Sequence, residues 1–117
     1  MAAIETMSTD TIWQEIEVKL NDNPAPISGL TTTYQINLSG DDGGTYTLKV
    51  VDGVATTSVG EAEVADCTLS MSVKDFKKLL LGKLNATGSF MMGKLKVDGS
   101  LGLALKLESL LKKYSFE

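Results

Sequence analysis

Three stretches in the first half of the chain alternate apolar and polar residues with a period of two, which is the pattern of strands with one buried face. A fourth run of the same kind follows a short linker. Asp52-Gly53 predicts a tight turn between the second and third runs, because glycine accepts a positive φ angle. The sequence therefore predicts four strands, the first three in an antiparallel meander, at residues 33–39, 45–50, 54–59 and 67–71.

An amphipathic helix is predicted ahead of these strands. Apolar side chains recur every four positions from Ile12 onward, so the helix is expected to run from about Asp10 to Leu20. Thr11 and Gln14 fit a capping box, in which two side chains satisfy free N–H groups of the first helical turn. The only two prolines of the chain follow shortly afterwards and end the helix.

The second half of the chain predicts three more helices and an edge strand. Ser72 and Asp75 fit a capping box, and Gly82 is placed to end the helix that they begin. Asn85 and Gly93 suit the start and the end of a short second helix. The remaining elements are an edge strand at residues 94–97, a tight turn at Asp98-Gly99 and a last helix at residues 101–111 that Ser100 caps.

The last helix carries more leucine than one buried stripe requires. At about 100° per residue, its core stripe consists of Leu103, Ala104, Leu107, Leu110, Leu111 and Tyr114. Leu101 and Leu105 fall outside that stripe, so the start of the helix has an extra apolar flank. Such a flank needs cover from the rest of the protein, from a partner or from a ligand.

The length of 117 residues predicts a single domain. We expect residues 1–9 to form a flexible N-terminal tail and residues 10–117 to form the domain. The first ten residues contain two acids and no base, which is unlike a signal peptide. No apolar run approaches the roughly 20 residues that span a bilayer. These features predict a soluble intracellular protein.

The composition excludes several kinds of chemistry. The chain has no histidine and no arginine, so lysine supplies all 11 positive charges. We therefore expect no histidine-based catalytic triad or zinc site, and we predict a protein that is not an enzyme and holds no metal. Cys67, the single cysteine, is expected to be a small core residue, because no histidine can activate it. The net charge of −4 argues against a nucleic-acid partner.

The charges are distributed unevenly along the chain. Residues 1–66 carry a net charge of −9, and residues 67–117 carry +5. We expect the two halves to interleave in one fold, so that the charges mix on its surface. The alternative is a lysine-bearing face that attracts anionic head groups.

Several motifs resemble those of the sterol carrier protein 2 family. The motifs are Ala65-Asp66-Cys67-Thr68-Leu69-Ser70-Met71, Leu81-Gly82-Lys83-Leu84, Ser89-Phe90-Met91-Met92-Gly93-Lys94-Leu95-Lys96-Val97-Asp98-Gly99 and Leu103-Ala104-Leu105-Lys106-Leu107, of which the last two are the most specific. The resemblance covers about Thr11 to Tyr114. It implies an α/β fold of the α+β type, with a five-stranded, largely antiparallel sheet covered by helices. It also implies an apolar tunnel between the sheet and the helices.

The resemblance implies a function as well. We expect a non-catalytic intracellular carrier that binds fatty acids, fatty acyl-CoA or sterols and transfers them between membranes or enzymes. Besides this lipid ligand, we expect no cofactor and no nucleic acid, a monomeric state, and an anionic membrane surface or lipid-metabolising enzymes as partners. The alternative is a module that docks onto a protein or a membrane through the apolar flank of the last helix.

The expected location is the cytoplasm. Peroxisomal members of the family often end in a tripeptide similar to Ser-Lys-Leu, whereas this chain ends in Ser115-Phe116-Glu117. The peroxisome is therefore the alternative location.

The expected lipid site is a set of apolar side chains with lysines near its mouth. Methionine suits such a site, because its three rotatable bonds and polarisable sulfur adapt to ligands of different shape. The mouth or lid of the tunnel is expected at Phe90 to Met92, just ahead of the last helix. The expected lining residues are Trp13, Ile16, Ile36, Leu48, Met71, Phe76, Leu80, Phe90, Met91, Met92, Leu101 and Leu105, and the expected head-group contacts are Lys83, Lys94 and Lys96.

Overall fold

A computed structural model describes residues 4–114 and residue 116 of the chain. Short 3₁₀ helices at Ile4–Thr6 and Ala25–Ile27 flank the first α-helix. In chain order, the main elements are α1 (Thr9–Asp22), β1 (Thr32–Ser39), β2 (Gly44–Val51), β3 (Val54–Val59), β4 (Cys67–Ser72), α2 (Val73–Leu80), α3 (Ala86–Met91), β5 (Lys96–Gly99) and α4 (Leu101–Leu111). Among the described residues, no helix combines the length and the apolar character needed to cross a membrane.

The five strands form one mixed sheet in the order β3-β2-β1-β4-β5. Neighbouring strands are antiparallel except β1 and β4, which run parallel. The predicted five-stranded, largely antiparallel α+β fold is confirmed, and so is the predicted meander of the first three strands. Asp52 and Gly53 turn the chain between β2 and β3 with φ angles of 51° and 78°, the left-handed conformation that a tight hairpin requires.

One face of the sheet is apolar, and the helices cover it. On β1, Tyr34, Ile36 and Leu38 are buried, whereas the alternate residues Gln35 and Asn37 are only half-buried. α1 packs against β3, and both α2 and α4 pack against β4. The helices and this face of the sheet therefore enclose the hydrophobic core between them.

The capping box predicted at Thr11 and Gln14 is wrong. α1 begins earlier, at Thr9, and the side chain of Ser8 caps it by accepting the Thr11 N–H at 3.3 Å. The Thr9 N–H donates to the carboxylate of Asp42 at 2.7 Å. This contact comes from the β1–β2 loop, so a local sequence pattern could not reveal it.

Part of the predicted N-terminal tail packs on the domain. Residues 1–3 lie outside the described residues. Ile4 is only 2% exposed and belongs to the hydrophobic core, and Thr9 is the first residue of α1. One isolated apolar residue gives no periodic signal, and for this reason the sequence pattern does not identify Ile4 as a core residue.

The N-caps predicted for the other three helices are confirmed. The side chains of Ser72, Asn85 and Ser100 each accept the backbone N–H of the third residue ahead, at 3.1, 2.9 and 3.2 Å. These caps satisfy N–H groups that have no partner inside a helix, so they fix where α2, α3 and α4 begin.

The edge strand β5 lies two residues later than predicted. Asp98 and Gly99 pair with Thr68 and Cys67 of β4, so the tight turn predicted at these two residues is wrong. Gly99 has a φ angle of 102°, and a Cβ atom there would lie 2.8 Å from the carbonyl oxygen of Asp66. Glycine is therefore needed at this position for the close approach of the two strands.

Candidate ligand-binding site

Three aromatic side chains join α1, β2 and α2 inside the core. The Trp13 ring lies nearly parallel to the rings of Tyr46 and Phe76, with ring centroids 5.5 and 5.0 Å apart. Trp13 is on the buried face of α1, and Phe76 is on the buried face of α2. Stacked pairs at these distances contribute about 0.5–1.5 kcal/mol each beyond the area that they bury. This part of the interior is therefore filled by side chains.

Most of the predicted lining residues lie in the same core. Leu105 of α4 is partly buried against it. The buried members are Trp13, Ile16, Ile36, Leu48, Met71, Phe76 and Leu80. The structure thus brings these residues together, as expected from the sequence, and their contact with a lipid stays a prediction.

The remaining predicted lining residues are exposed. Phe90, Met91 and Met92 are 41%, 80% and 71% exposed, and Leu101 at the start of α4 is as exposed as Phe90. The first three are consecutive and lie at the end of α3. We call Phe90–Met92 the apolar tip. It presents three large apolar side chains to the surroundings of the protein.

Hydrogen bonds hold α3 and its apolar tip in place. The Ala86 N–H at the start of α3 donates to the carboxylate of Glu108 in α4. Beyond α3, the N–H groups of Lys94 and Leu95 both donate to the carbonyl oxygen of Ser89, at 2.9 and 3.1 Å. Because the helix is fastened at both ends, the exposure of the tip is a property of an ordered segment.

The interior contains a polar atom that lacks a partner among the described residues. Trp13 is 4% exposed, and no group in the described part of the chain accepts a hydrogen bond from its indole Nε1–H. A buried donor without an acceptor costs about 1–3 kcal/mol. An oxygen atom of a molecule in the interior would remove this cost. Trp13 therefore offers a polar contact within an otherwise apolar region.

Two adjoining surface grooves lie beside α2. Their volumes are about 580 and 700 Å³, and both are lined by Ser39, Ser72, Lys74 and Lys78. We call these two the basic grooves, because their charged lining residues are Lys74, Lys77, Lys78, Lys83, Lys94 and Lys96 with two acids, Asp41 and Asp75. The local net charge is +4.

The basic grooves favour one interpretation of the charge distribution over the other. The expected mixing of charges is not what this part of the surface shows, and the alternative, a lysine-bearing face, describes it. All three predicted head-group lysines, Lys83, Lys94 and Lys96, line these grooves. Their role as head-group contacts stays a prediction.

The larger groove reaches the hydrophobic core. Leu38 and Met71 line it, and both also belong to the core cluster. Lys94 and Lys96 line the same groove. A molecule with an apolar chain and an anionic end could therefore contact Met71 and a lysine at the same time.

Sequence reasoning missed Leu38, Lys74 and Lys78 as residues of this region. Lys74 and Lys78 are four residues apart on α2 and lie outside its apolar stripe, which is a signal of a basic helix face. Nothing in the sequence shows that Lys94 lines the same groove. That proximity arises because β4 continues directly into α2, while β5, which follows Lys94, pairs with the edge of β4 that does not pair with β1.

Cys67 is a core residue, as predicted. Its Sγ–H donates to the carbonyl oxygen of Ser100 at 3.4 Å. Burial raises the pKa of the thiol, and the nearby Asp98 and Asp66 add to this effect. The thiolate is the reactive form, so these surroundings oppose nucleophilic chemistry. In the described part of the chain, no three His, Cys, Asp or Glu residues come together to hold a metal ion.

Comparison with known proteins gives consistent results in sequence and structure. The chain matches the model of the SCP-2 sterol transfer family over residues 14–112. Hydroxysteroid dehydrogenase-like protein 2 of Bos taurus is 43% identical over 86 residues, which are 73% of this chain and 21% of that protein. Sterol carrier protein 2 of Gallus gallus is 30% identical over 113 residues, which are 93% of this chain and 21% of that protein. The chain thus spans about a fifth of the length of these curated relatives.

A solved structure agrees with the fold. The apo form of sterol carrier protein 2 from Yarrowia lipolytica is 29% identical, and it superposes with a TM-score of 0.71 over 91% of each chain. The similarity therefore extends over nearly the whole domain of both proteins.

Proposed function

Because the chain belongs to the SCP-2 sterol transfer family, a family of lipid-binding and lipid-transfer domains, we propose that it is a non-catalytic lipid carrier. The proposed ligands are fatty acids, fatty acyl-CoA or sterols. The observation that carries the proposal is the family match over residues 14–112, which includes most of the core beneath the helices and the whole apolar tip. The names of the chicken and yeast relatives, which are sterol carrier proteins, support a sterol as one candidate.

The proposed site is an apolar tunnel between the sheet and the helices. The apolar part of the ligand lies among the predicted lining residues and displaces some of their mutual contacts. For a sterol, the hydroxyl oxygen accepts the hydrogen bond that Trp13 Nε1 offers, which is supported by the absence of another acceptor among the described residues. For a fatty acid or fatty acyl-CoA, the anionic end projects past Met71 towards Lys94 and Lys96, which is supported by the residues that line the larger groove.

Apolar contact supplies most of the proposed affinity. Each buried CH₂ group contributes about 0.8 kcal/mol. A saturated fatty acid shortened by four CH₂ groups should therefore bind up to about 200-fold more weakly. Equal affinities across such a series would contradict a tunnel that encloses the chain.

Native mass spectrometry of the freshly purified protein tests the proposal. We expect a co-purified lipid, and a fluorescent fatty acid should bind the lipid-free protein. Leu105→Asp should reduce this binding, because it places a charge in the proposed lining. Val64→Asp is the matched control, because Val64 is 79% exposed outside the proposed site. Circular dichroism should show that both variants are folded.

A clean apo mass together with no binding of the fluorescent fatty acid would contradict the carrier proposal. Equal loss of binding in Leu105→Asp and Val64→Asp, with both folded, would show that the proposed lining is in the wrong place.

The alternative proposed from the sequence, docking through the flank of α4, has limited support. Leu105 is partly buried against the core, so Leu101 is the exposed part of that flank. The apolar tip is a larger exposed apolar surface. We therefore keep the carrier function as the proposal.

The proposed partners and location follow the carrier function. Lipid-metabolising enzymes would deliver or receive the ligand, and similarity to a dehydrogenase-like relative supports such an enzyme as a neighbour. A monomer in the cytoplasm, with the peroxisome as the alternative, stays the proposal made from the sequence.

A further inference from the structure

The apolar tip differs from the other exposed apolar positions of the described chain. Its three residues are consecutive. Two of them are methionines, whose unbranched side chains are flexible, and Met91 is 80% exposed. Apart from Leu101, the other large exposed apolar residues among those described are valines at positions 18, 51, 54, 59 and 64, of which Val51 and Val54 pair across the β2–β3 hairpin. Single exposed apolar residues are ordinary on protein surfaces, whereas a contiguous apolar patch marks an interaction surface.

The basic grooves begin directly beside the apolar tip. Gly93 and Lys94, which follow Met92 in the chain, line the larger groove. Lys74 and Lys78 line both grooves, so the basic surface continues from the tip along α2. Apolar side chains and a local charge of +4 therefore lie next to each other on the same part of the molecule.

The rest of the molecule has the opposite charge. The whole chain carries −4, although this surface is positive. α1 carries four acidic residues and one lysine, namely Asp10, Glu15, Glu17, Asp22 and Lys19. An anionic surface is therefore attracted more strongly by the basic grooves than by the rest of the described chain, which favours one orientation.

We propose that the apolar tip and the basic grooves dock onto the surface of an anionic lipid bilayer. Phe90, Met91 and Met92 enter the boundary between head groups and acyl chains, and the lysines of the grooves contact the anionic head groups. The charge complementarity and the adjacent exposed apolar residues together favour a bilayer, because an interfacial lipid surface offers both anionic and apolar groups. In this orientation, the groove that reaches Met71 opens towards the membrane.

The inference rests on the proposed carrier function for its biological purpose, but the docking can be measured without a ligand. Two double variants with the same change of net charge compare lysines inside the basic grooves with lysines outside them. Lys74→Glu/Lys78→Glu reverses the charge in both grooves; the two lysines line the larger groove, but the proposed head-group contacts there are Lys94 and Lys96. Lys49→Glu/Lys113→Glu reverses two exposed lysines elsewhere.

The position of Lys113 makes it a suitable control. Its neighbour Tyr114 donates to the carbonyl oxygen of Asn23, just beyond the end of α1, at 2.7 Å. The grooves include Asp41, whose neighbour Asp42 contacts Thr9 at the start of α1. These contacts lie at opposite ends of a 14-residue helix, about 20 Å apart.

Co-sedimentation of the full chain with vesicles tests the proposal. The vesicles contain phosphatidylcholine alone or phosphatidylcholine with phosphatidylserine. We expect binding to the anionic vesicles at low salt that weakens more than about ten-fold at high salt. Lys74→Glu/Lys78→Glu should weaken it by about 30-fold or more, whereas Lys49→Glu/Lys113→Glu should change it less than about three-fold. Met91→Asp/Met92→Asp should also lose binding, and Val64→Asp should keep it.

Several outcomes would overturn the docking surface. These are no binding to anionic vesicles at low salt, equal loss in the two lysine double variants, and binding that survives Met91→Asp/Met92→Asp in a folded protein. Binding of a fluorescent sterol, which has no anionic end, by Lys74→Glu/Lys78→Glu separates the two proposals. We expect it to stay within about two-fold of the wild type, since a loss of docking with retained ligand binding leaves the carrier function intact.

Discussion

The stacked rings of Trp13, Tyr46 and Phe76 in the interior and the apolar tip contain similar residue types in opposite surroundings. Phe76 is buried between α2 and Trp13, and Phe90 is exposed at the end of α3. Burial of an aromatic side chain contributes to folding, whereas an exposed one contributes little until a partner covers it. The comparison teaches that stability and interaction are placed in different parts of this small domain. Each prediction below tests that separation.

The largest expected effect comes from removing the buried ring. Phe76→Ala should lower the free energy of unfolding by about 3–5 kcal/mol, because it leaves a cavity beside Trp13. Phe90→Ala removes the same group at the apolar tip and should cost less than about 1 kcal/mol. Urea unfolding of both variants measures the difference. Similar losses in the two variants would mean that the tip is part of the folding core.

A smaller effect is expected at the polar edge of the interior. The hydroxyl of Tyr46 donates to the carboxylate of Asp10 at 2.7 Å. Tyr46→Phe keeps the ring against Trp13 and removes this bond, so the free energy of unfolding should fall by about 1.5–3 kcal/mol at neutral pH. No measurable change in urea unfolding would show that the hydrogen bond does not contribute.

The same tyrosine predicts an alkaline pH dependence. Burial, the hydrogen bond to Asp10 and its negative charge raise the pKa of Tyr46 from 10.0 to about 12. Because folding favours the neutral phenol, its contribution to stability is complete below pH 10.0 and is lost as the pH rises towards about 12. Urea unfolding across this range should show a smaller alkaline loss in Tyr46→Phe than in the wild type. Identical profiles would contradict this assignment.

The Asn85 cap at the start of α3 should contribute about 1 kcal/mol to the free energy of opening this helix. Asn85→Ala removes the cap that accepts the Gly88 N–H, so α3 should open more often. Amide hydrogen exchange should speed up in residues 86–91 and stay unchanged in β1 and β4. Faster exchange throughout the sheet would mean that α3 is not a separate unit from the core.

The smallest effect is expected at the tip itself. Met91→Ala should change the free energy of unfolding by less than about 0.5 kcal/mol, because the side chain has few contacts to lose. The matched core variant is Met71→Ala, for which about 2–5 kcal/mol is expected. A large loss in Met91→Ala would remove the distinction between the two regions.

The sequence predicts which helices and strands form better than it predicts where each of them begins and ends. The alternation in β1 and the caps at Ser72, Asn85 and Ser100 are local, so they can be recognised along the chain. The start of α1 depends on Asp42, and the pairing of Gly99 depends on Asp66 and Cys67. These are tertiary contacts between distant residues, and no local pattern contains them.

The candidate site shows the same limit. Helical and strand periodicity is sufficient to place Trp13, Met71 and Phe76 on inward faces. It does not distinguish a core residue from a residue that contacts a ligand, because both are apolar and face inward. The gathering of Lys74, Lys78 and Lys94 around one groove depends on how β5 pairs with β4, so it appears only in the folded structure.

The most direct test of the central claim uses the single tryptophan of the chain. Bromine atoms on a fatty acid chain quench tryptophan fluorescence only at short range. If the lipid enters the interior, a brominated fatty acid should quench Trp13 saturably at one molecule per protein, and the unbrominated acid should not. Binding of the brominated acid without quenching of Trp13, or no binding at all to the folded protein, would contradict the account.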